Sequence, residues 1–256
     1  MQKDTSFETL VAIVARLRKE CPWDREQTFD SIKGHTIEEA YEVVEAIDEK
    51  DYGELCHELG DLLLHVLFHS RIAEDEGLFN HEDVIASVTD KLIRRHPHVF
   101  GDTKVDGAAM VKSNWEKLKR QEGRNSAVDG VPRKLPALLR ATRLQDKASK
   151  IGFDWPHRDD VWRKVEEEIR ELKSAVEDAE QGKIEEELGD LLFALVNYAR
   201  FVDVDPEAAL RKTNEKFIRR FQYMEKRFVE EGRDIHNASL EEMDVYWEEA
   251  KTGVEP

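Results

Sequence analysis

Apolar residues recur at three- and four-residue intervals through most of the chain, and no run alternates apolar and polar positions as a half-buried strand would. The pattern predicts amphipathic helices over 7–19, 36–50, 52–76, 81–95 and 113–121 in the first half. A second series follows over 137–150, 160–181, 183–202, 206–231 and 240–251. Pro97 stops the fourth helix, and the CPWD tetrapeptide at Cys21 turns the chain after the first. The Gly-, Pro-, Asn- and Ser-bearing stretch 123–136 reads as a linker between domains at 1–122 and 137–256. The expected fold class is all-α.

The two series share their chemistry as well as their order. EEAYE at Glu38 and HELGDLL at His57 reappear as EEIRE at Glu167 and EELGDLL at Glu186. Glu39 and Glu168, Glu42 and Glu171, Glu58 and Glu187, and Asp61 and Asp190 are each 129 residues apart. No insertion separates the acidic elements, so a whole helical domain is duplicated rather than a short solenoid repeat.

Carboxylates three or four apart share a helix face and repel by roughly 0.2–0.5 kcal/mol per pair. Those at Asp61 and Asp190 run straight into apolar segments, where partial burial raises the penalty. A divalent cation would relieve both effects, and an all-oxygen ligand set suits Mg²⁺, with Mn²⁺ as an alternative. Mg²⁺ commonly shares its shell with substrate phosphates. Thr36 and Glu39 also fit a helix capping box, but Val165 stands where the second copy would need Thr36, so capping does not explain the glutamate there. Di-iron carboxylate sites need Glu-x-x-His. Here both copies read Glu-x-x-Asp, and His65 and His69, matched by Ala194 and Tyr198, read as core-edge histidines.

Basic helices follow each acidic pair. Lys91 and Arg95 correspond to Lys216 and Arg220, and each pair spaced by four residues can clamp phosphate or salt-bridge the surface. Lys164 can also reach a phosphate, whereas the first copy has His35 in its place. Trp115 and Trp247 either stack on a base or anchor a terminal helix. Pro97 and His35 make the first copy the weaker phosphate site, so catalysis is expected in the second half.

Composition narrows the partners. A net charge of −17 argues against nucleic acid or an anionic membrane as the main partner. No apolar run approaches the ~20 residues of a membrane span, and the N-terminus lacks the pattern of a secretory signal. Cys21 and Cys56 are too few for a disulfide framework. A cytoplasmic location is the expectation.

The words CPWDREQTF, TIEEAYEVVEAI, ELGDLLLHV, RRHPHVF, LPALLRA, GFDW, EEELGDLLFALVN and NEKFIRRF span nearly the whole chain. In them it resembles the long, two-repeat form of the MazG nucleoside triphosphate pyrophosphohydrolases. The resemblance implies two tandem domains with four-helix-bundle cores that assemble by pairing protomers, as a homodimer or higher homo-oligomer. It implies Mg²⁺-dependent cleavage of NTP or dNTP at the α–β linkage to a monophosphate and pyrophosphate, in nucleotide-pool house-cleaning or stress. By motif, Glu168, Glu171, Glu187 and Asp190 would hold magnesium. Lys164, Lys216 and Arg220 would grip the triphosphate, Trp247 would contact the nucleotide, and Glu167 is a candidate base for water. Glu39, Glu42, Glu58 and Asp61, with Lys91 and Arg95, form the lesser site. A narrower hydrolase of non-standard nucleotides or alarmones, and a non-enzymatic acidic module docking a basic partner, are the competing readings.

Overall fold

The computed structural model describes residues 5–107, 110–111, 114–115 and 126–253. The helix expected over 113–121 and the start of the linker lie largely outside them. All regular structure among the described residues is helical, in two compact units at Met1–Trp115 and Glu116–Pro256.

The first unit comprises α1 (Phe7–Glu20), α2 (Pro22–Glu26), α3 (Phe29–Glu49), α4 (Tyr52–Asp75), α5 (His81–Arg95) and α6 (Pro97–Phe100). The second comprises α7 (Ala137–Ser149), α8 (Arg158–Glu177), α9 (Gln181–Phe201), α10 (Pro206–Glu230), a 3-10 turn at Ile235–Asn237, and α11 (Leu240–Gly253). Most boundaries fall within a few residues of expectation. The exception is α3, which starts a full two turns before Thr36. Thr28 caps it, its hydroxyl accepting from the Ser31 amide at 3.2 Å while Ser31 Oγ accepts from the Thr28 amide at 2.9 Å. Thr36 is not a cap. Its hydroxyl sits mid-helix and donates to the Ile32 carbonyl, because the earlier start extends the buried stripe to Ile32.

Each unit is built on a tightly packed antiparallel hairpin, α3 with α4 and α8 with α9. Both turn through a left-handed residue in the same register, Lys50 (φ 60°) and Ala179 (φ 54°). In α8 the inward stripe is Val161, Val165, Glu168, Leu172 and Ala175; in α3 it is Ile32, Thr36, Glu39, Val43 and Ala46. A glutamate thus stands in the middle of each otherwise largely apolar seam. Val14 of α1 joins Ile32, Leu67, Phe68 and Ile72 in the first core. A second cluster in the C-terminal unit joins Met224 and Phe228 of α10 to Tyr246 of α11.

The two hairpins keep one apolar face uncovered within their own unit. Leu188, Leu192 and Leu195 on α9, with Val176 on α8, stay exposed, as do Ile47, Leu59 and Leu63 on α3 and α4.

Phe228 is 1% exposed against Tyr246, so Phe228→Ala should destabilise the second unit by about 3–5 kcal/mol. Val229→Ala, at a side chain 76% exposed, should change stability by less than ~0.5 kcal/mol. Urea denaturation of both variants decides this, and equal losses would contradict the packing described.

Candidate active site

The α8–α9 seam collects the second acidic set. Carboxylate oxygens of Glu168, Glu187 and Asp190 lie within 4.8 Å of one another, and those of Glu167, Glu168 and Glu171 form an overlapping group. Glu168 is buried because its position on α8 continues the Val161–Val165 stripe. Desolvation, then Glu171, Glu168 and Asp190, push the Glu187 carboxyl above its usual range. All four predicted ligands therefore share one electrostatic site.

One cation already stands among them. Lys164 Nζ is 2.7 Å from Glu167 Oε1 and 2.5 Å from Glu168 Oε1, one turn away on the same helix. Its hydrogen bonds to Glu167 and Glu168 hold the ammonium pKa well up, and hold the Glu167 carboxyl below the usual range.

The first unit gathers Glu39, Glu58 and Asp61 within the same 4.8 Å, and Glu42 is coupled to Glu39. Burial, then Glu42 and Asp61, raise the Glu39 carboxyl. Histidines crowd this cluster. His65 Nε2 is 3.6 Å from Glu39 Oε1, and Thr36 Oγ1 is 3.2 Å from His65 Nδ1 and 2.9 Å from His69 Nε2. Burial lowers both imidazole pKa values, with His35 adding to the effect on His65.

Other predicted residues are grouped elsewhere. Lys216, Arg220 and Trp247 lie on the α10–α11 pair, with the Arg220 guanidinium 6.0 Å and the Phe217 ring 5.2 Å from the Trp247 ring. The principal packing partners of α10 are α11 and α7, so these residues cluster with one another rather than on the acidic seam. Lys91 and Arg95 sit on α5, which packs on α4. Trp115 meets His96 edge-on at 5.0 Å.

Beside the second acidic set opens a cavity of about 790 Å³. Lys164, Glu168 and Asp190 line it together with Gln145, Phe153 and Trp155. The last three were not predicted. In the sequence GFDW reads as a counterpart of the CPWD turn and as a family word, and Gln145 as part of a helix. The exposed aromatics within that loop were the available signal.

A donor set of carboxylate oxygens alone, close enough to share one ion and partly desolvated, suits a hard divalent cation.

Comparison with known proteins gives the family. The MazG nucleotide pyrophosphohydrolase domain is matched twice, by residues 27–100 and 159–224. The nucleoside triphosphate pyrophosphohydrolase/pyrophosphatase MazG of Thermotoga maritima is 47% identical, over 97% of each chain. The nucleoside triphosphate pyrophosphohydrolase of Escherichia coli K12 is 44% identical, over 96% of this chain and 97% of that one. A solved mazG-related protein from Thermotoga maritima is 26% identical, covers 44% of this chain and 98% of its own, and superposes with a TM-score of 0.40. Two full-length relatives and a twice-matched domain establish the conclusion: the chain belongs to the MazG nucleotide pyrophosphohydrolase family.

Proposed function

We propose that the protein is a Mg²⁺-dependent nucleoside triphosphate pyrophosphohydrolase that cleaves the α–β linkage in its second unit. The observation that carries this reading is the convergence of Glu168, Glu187 and Asp190 within 4.8 Å, beside a cavity large enough for a nucleotide. Two relatives that match the chain over nearly their whole length bear names of that activity.

Glu168, Glu171, Glu187 and Asp190 would hold the divalent cation, which supplies phosphate charge neutralisation and a more acidic attacking water. The side chains do the rest. Lys164 is positioned to exchange its carboxylate partners for a phosphate oxygen of the incoming triphosphate. That exchange would release Glu167, whose carboxylate is held ionised and weakly basic by the ammonium. Freed of it, Glu167 becomes a better acceptor for the proton of the attacking water. Lys216 and Arg220 would steady the departing pyrophosphate from the α10 of another protomer, brought to the acidic seam by assembly.

Assembly is part of the proposal. The exposed leucines of α9 form a stripe at three- and four-residue spacing, and a second copy of the hairpin would turn two helices into a four-helix core. The free thiols of Cys21 and Cys56 suit a reducing cytoplasm. House-cleaning of the nucleotide pool is the cellular role that this chemistry serves.

Three outcomes test this reading. Asp190→Ala should lose at least a hundredfold in turnover with its helical circular dichroism intact, and the wild type should release pyrophosphate only with Mg²⁺; orthophosphate as the first product would overturn the assignment. Lys164→Met should raise the Glu167 pKa toward the ordinary carboxylate value. Sign follows from linkage: the lowered folded pKa of Glu167 stabilises the native state above the ordinary carboxylate pKa, and this is lost as pH falls through the folded value. An unchanged ¹³C carboxyl titration would remove Lys164 from its place. Leu192→Glu should shift the protein to monomer in sedimentation velocity, and an unaltered assembly would exclude the α9 face as the contact.

A further inference from the structure

The stretch before α7 reads in the sequence as a linker, yet part of it borders the second unit's cavity. Val128 lines that cavity, as do Leu144 and Ala148 of α7. The residues around Val128 fold into a turn. The Asp129 amide donates to the Ser126 carbonyl at 3.1 Å, and the Ser126 amide to Asp129 Oδ2 at 2.7 Å. Gly130 follows at φ +77°, a conformation that favours glycine.

One buried group reaches this turn from the helix. Lys147, near the end of α7, is 8% exposed, and its Nζ donates to the Asp129 carbonyl at 2.8 Å. Sheltering an ammonium is unfavourable unless it is well partnered, so a lysine here needs a reason. No step of the proposed hydrolysis uses its charge. What the bond does is tie the residue next to Val128 to α7.

The cavity's other walls are tied within the helical body. Arg200 Nη1 donates to Asp154 Oδ2 at 2.9 Å, which pins the loop after α7 to α9. Gln145 Nε2 donates to the Phe193 carbonyl at 2.8 Å and joins α7 to α9, with its Oε1 left unpaired. The Lys147 bond differs, because it holds the segment that leads back to the first unit. Ser126, Val128 and Gly130 are exposed, so this turn has little packing of its own to keep it in place.

We propose that Lys147 is a positioning residue for the second active site, holding residues 126–130 as a strap so that Val128 walls one side of the cavity. The proposal rests on the pyrophosphohydrolase reading only for the ligand that the cavity takes. Releasing the strap removes a wall without touching the carboxylates or Lys164, so it weakens binding and leaves the chemical step alone. The first unit lacks the tie. Matching Ala15-Arg16-Leu17 to Thr142-Arg143-Leu144 puts Glu20 at Lys147, and Glu20 pairs with Arg16 at 2.8 Å on its own helix.

Amide hydrogen exchange on the full chain, read by mass spectrometry, reports the strap directly. Lys147→Met keeps the aliphatic stem and removes the donor, and exchange over 126–130 should rise about tenfold. That variant, and separately Val128→Ser at an exposed position, should raise KM for ATP about fivefold with kcat within about twofold. Both should weaken calorimetric binding of α,β-methylene ATP with Mg²⁺ by a similar factor. Unchanged exchange in Lys147→Met would remove Lys147 from its role. Faster exchange with unaltered KM and analogue affinity would reduce the segment to a linker, and a fall in kcat at constant KM would equally overturn the proposal. Wild-type protein that binds no analogue would sink both readings. The expected exchange and affinity changes without any pyrophosphate release would retain the strap and sink the pyrophosphohydrolase reading instead.

Discussion

The structure depends on holding four like charges at the seam of a two-helix hairpin. Glu168 occupies the same inward stripe as Val161 and Val165, so burying those valines carries the glutamate inward with them. Each such burial contributes about 1.5–3 kcal/mol, against roughly 0.2–0.5 kcal/mol for each like-charge pair along a helix. Apolar packing wins, and the carboxylates stay where electrostatics alone would separate them. Lys164 offsets part of the remaining repulsion from within the same helix. The site is therefore charged, partly desolvated and supported by packing before any ligand arrives, which is the condition for strong cation and phosphate binding.

Duplication kept this seam and let its surroundings diverge. In the first unit the space beside the acids holds His65, with His35 6.5 Å and His69 6.4 Å from it. The His65 and His69 imidazoles share the Thr36 hydroxyl, and burial favours their neutral forms, so these two fill volume while adding little positive charge at neutral pH. In the second unit Lys164, Ala194 and Tyr198 replace His35, His65 and His69. A small residue and a lysine ammonium thus stand where the first unit has the His65 and His35 rings, while Tyr198 keeps a ring at the third position. The acids alone do not separate the two units; their neighbours do.

Much of this was legible residue by residue. Helices, hairpin order, the constant offset and both acidic sets follow from spacing along single helices. Errors arose where two local signals competed or where distant segments meet. Thr36 with Glu39 fits a capping box, but the helix is capped earlier by Thr28, and Ile32 within the added turns joins the core. Lys216 and Arg220 have the right charge and spacing for phosphate, and spacing alone does not show that α10 packs with α11 and α7, beside Trp247 and Phe217.

The sequence by itself determined that the chain is all-helical, that one domain occurs twice, and that each copy aligns four carboxylates. Those properties live in contacts three and four residues apart, which periodicity encodes directly. Only the tertiary structure decided that a cavity opens beside one acidic set, that Gln145 leaves an acceptor unpaired in its wall, and that Arg200 pins the aromatic loop over it. A cavity is the space left between side chains brought together from α7, α8, α9 and the loop after α7. Its size and polarity depend on how those volumes meet in three dimensions, and no spacing along one helix records that.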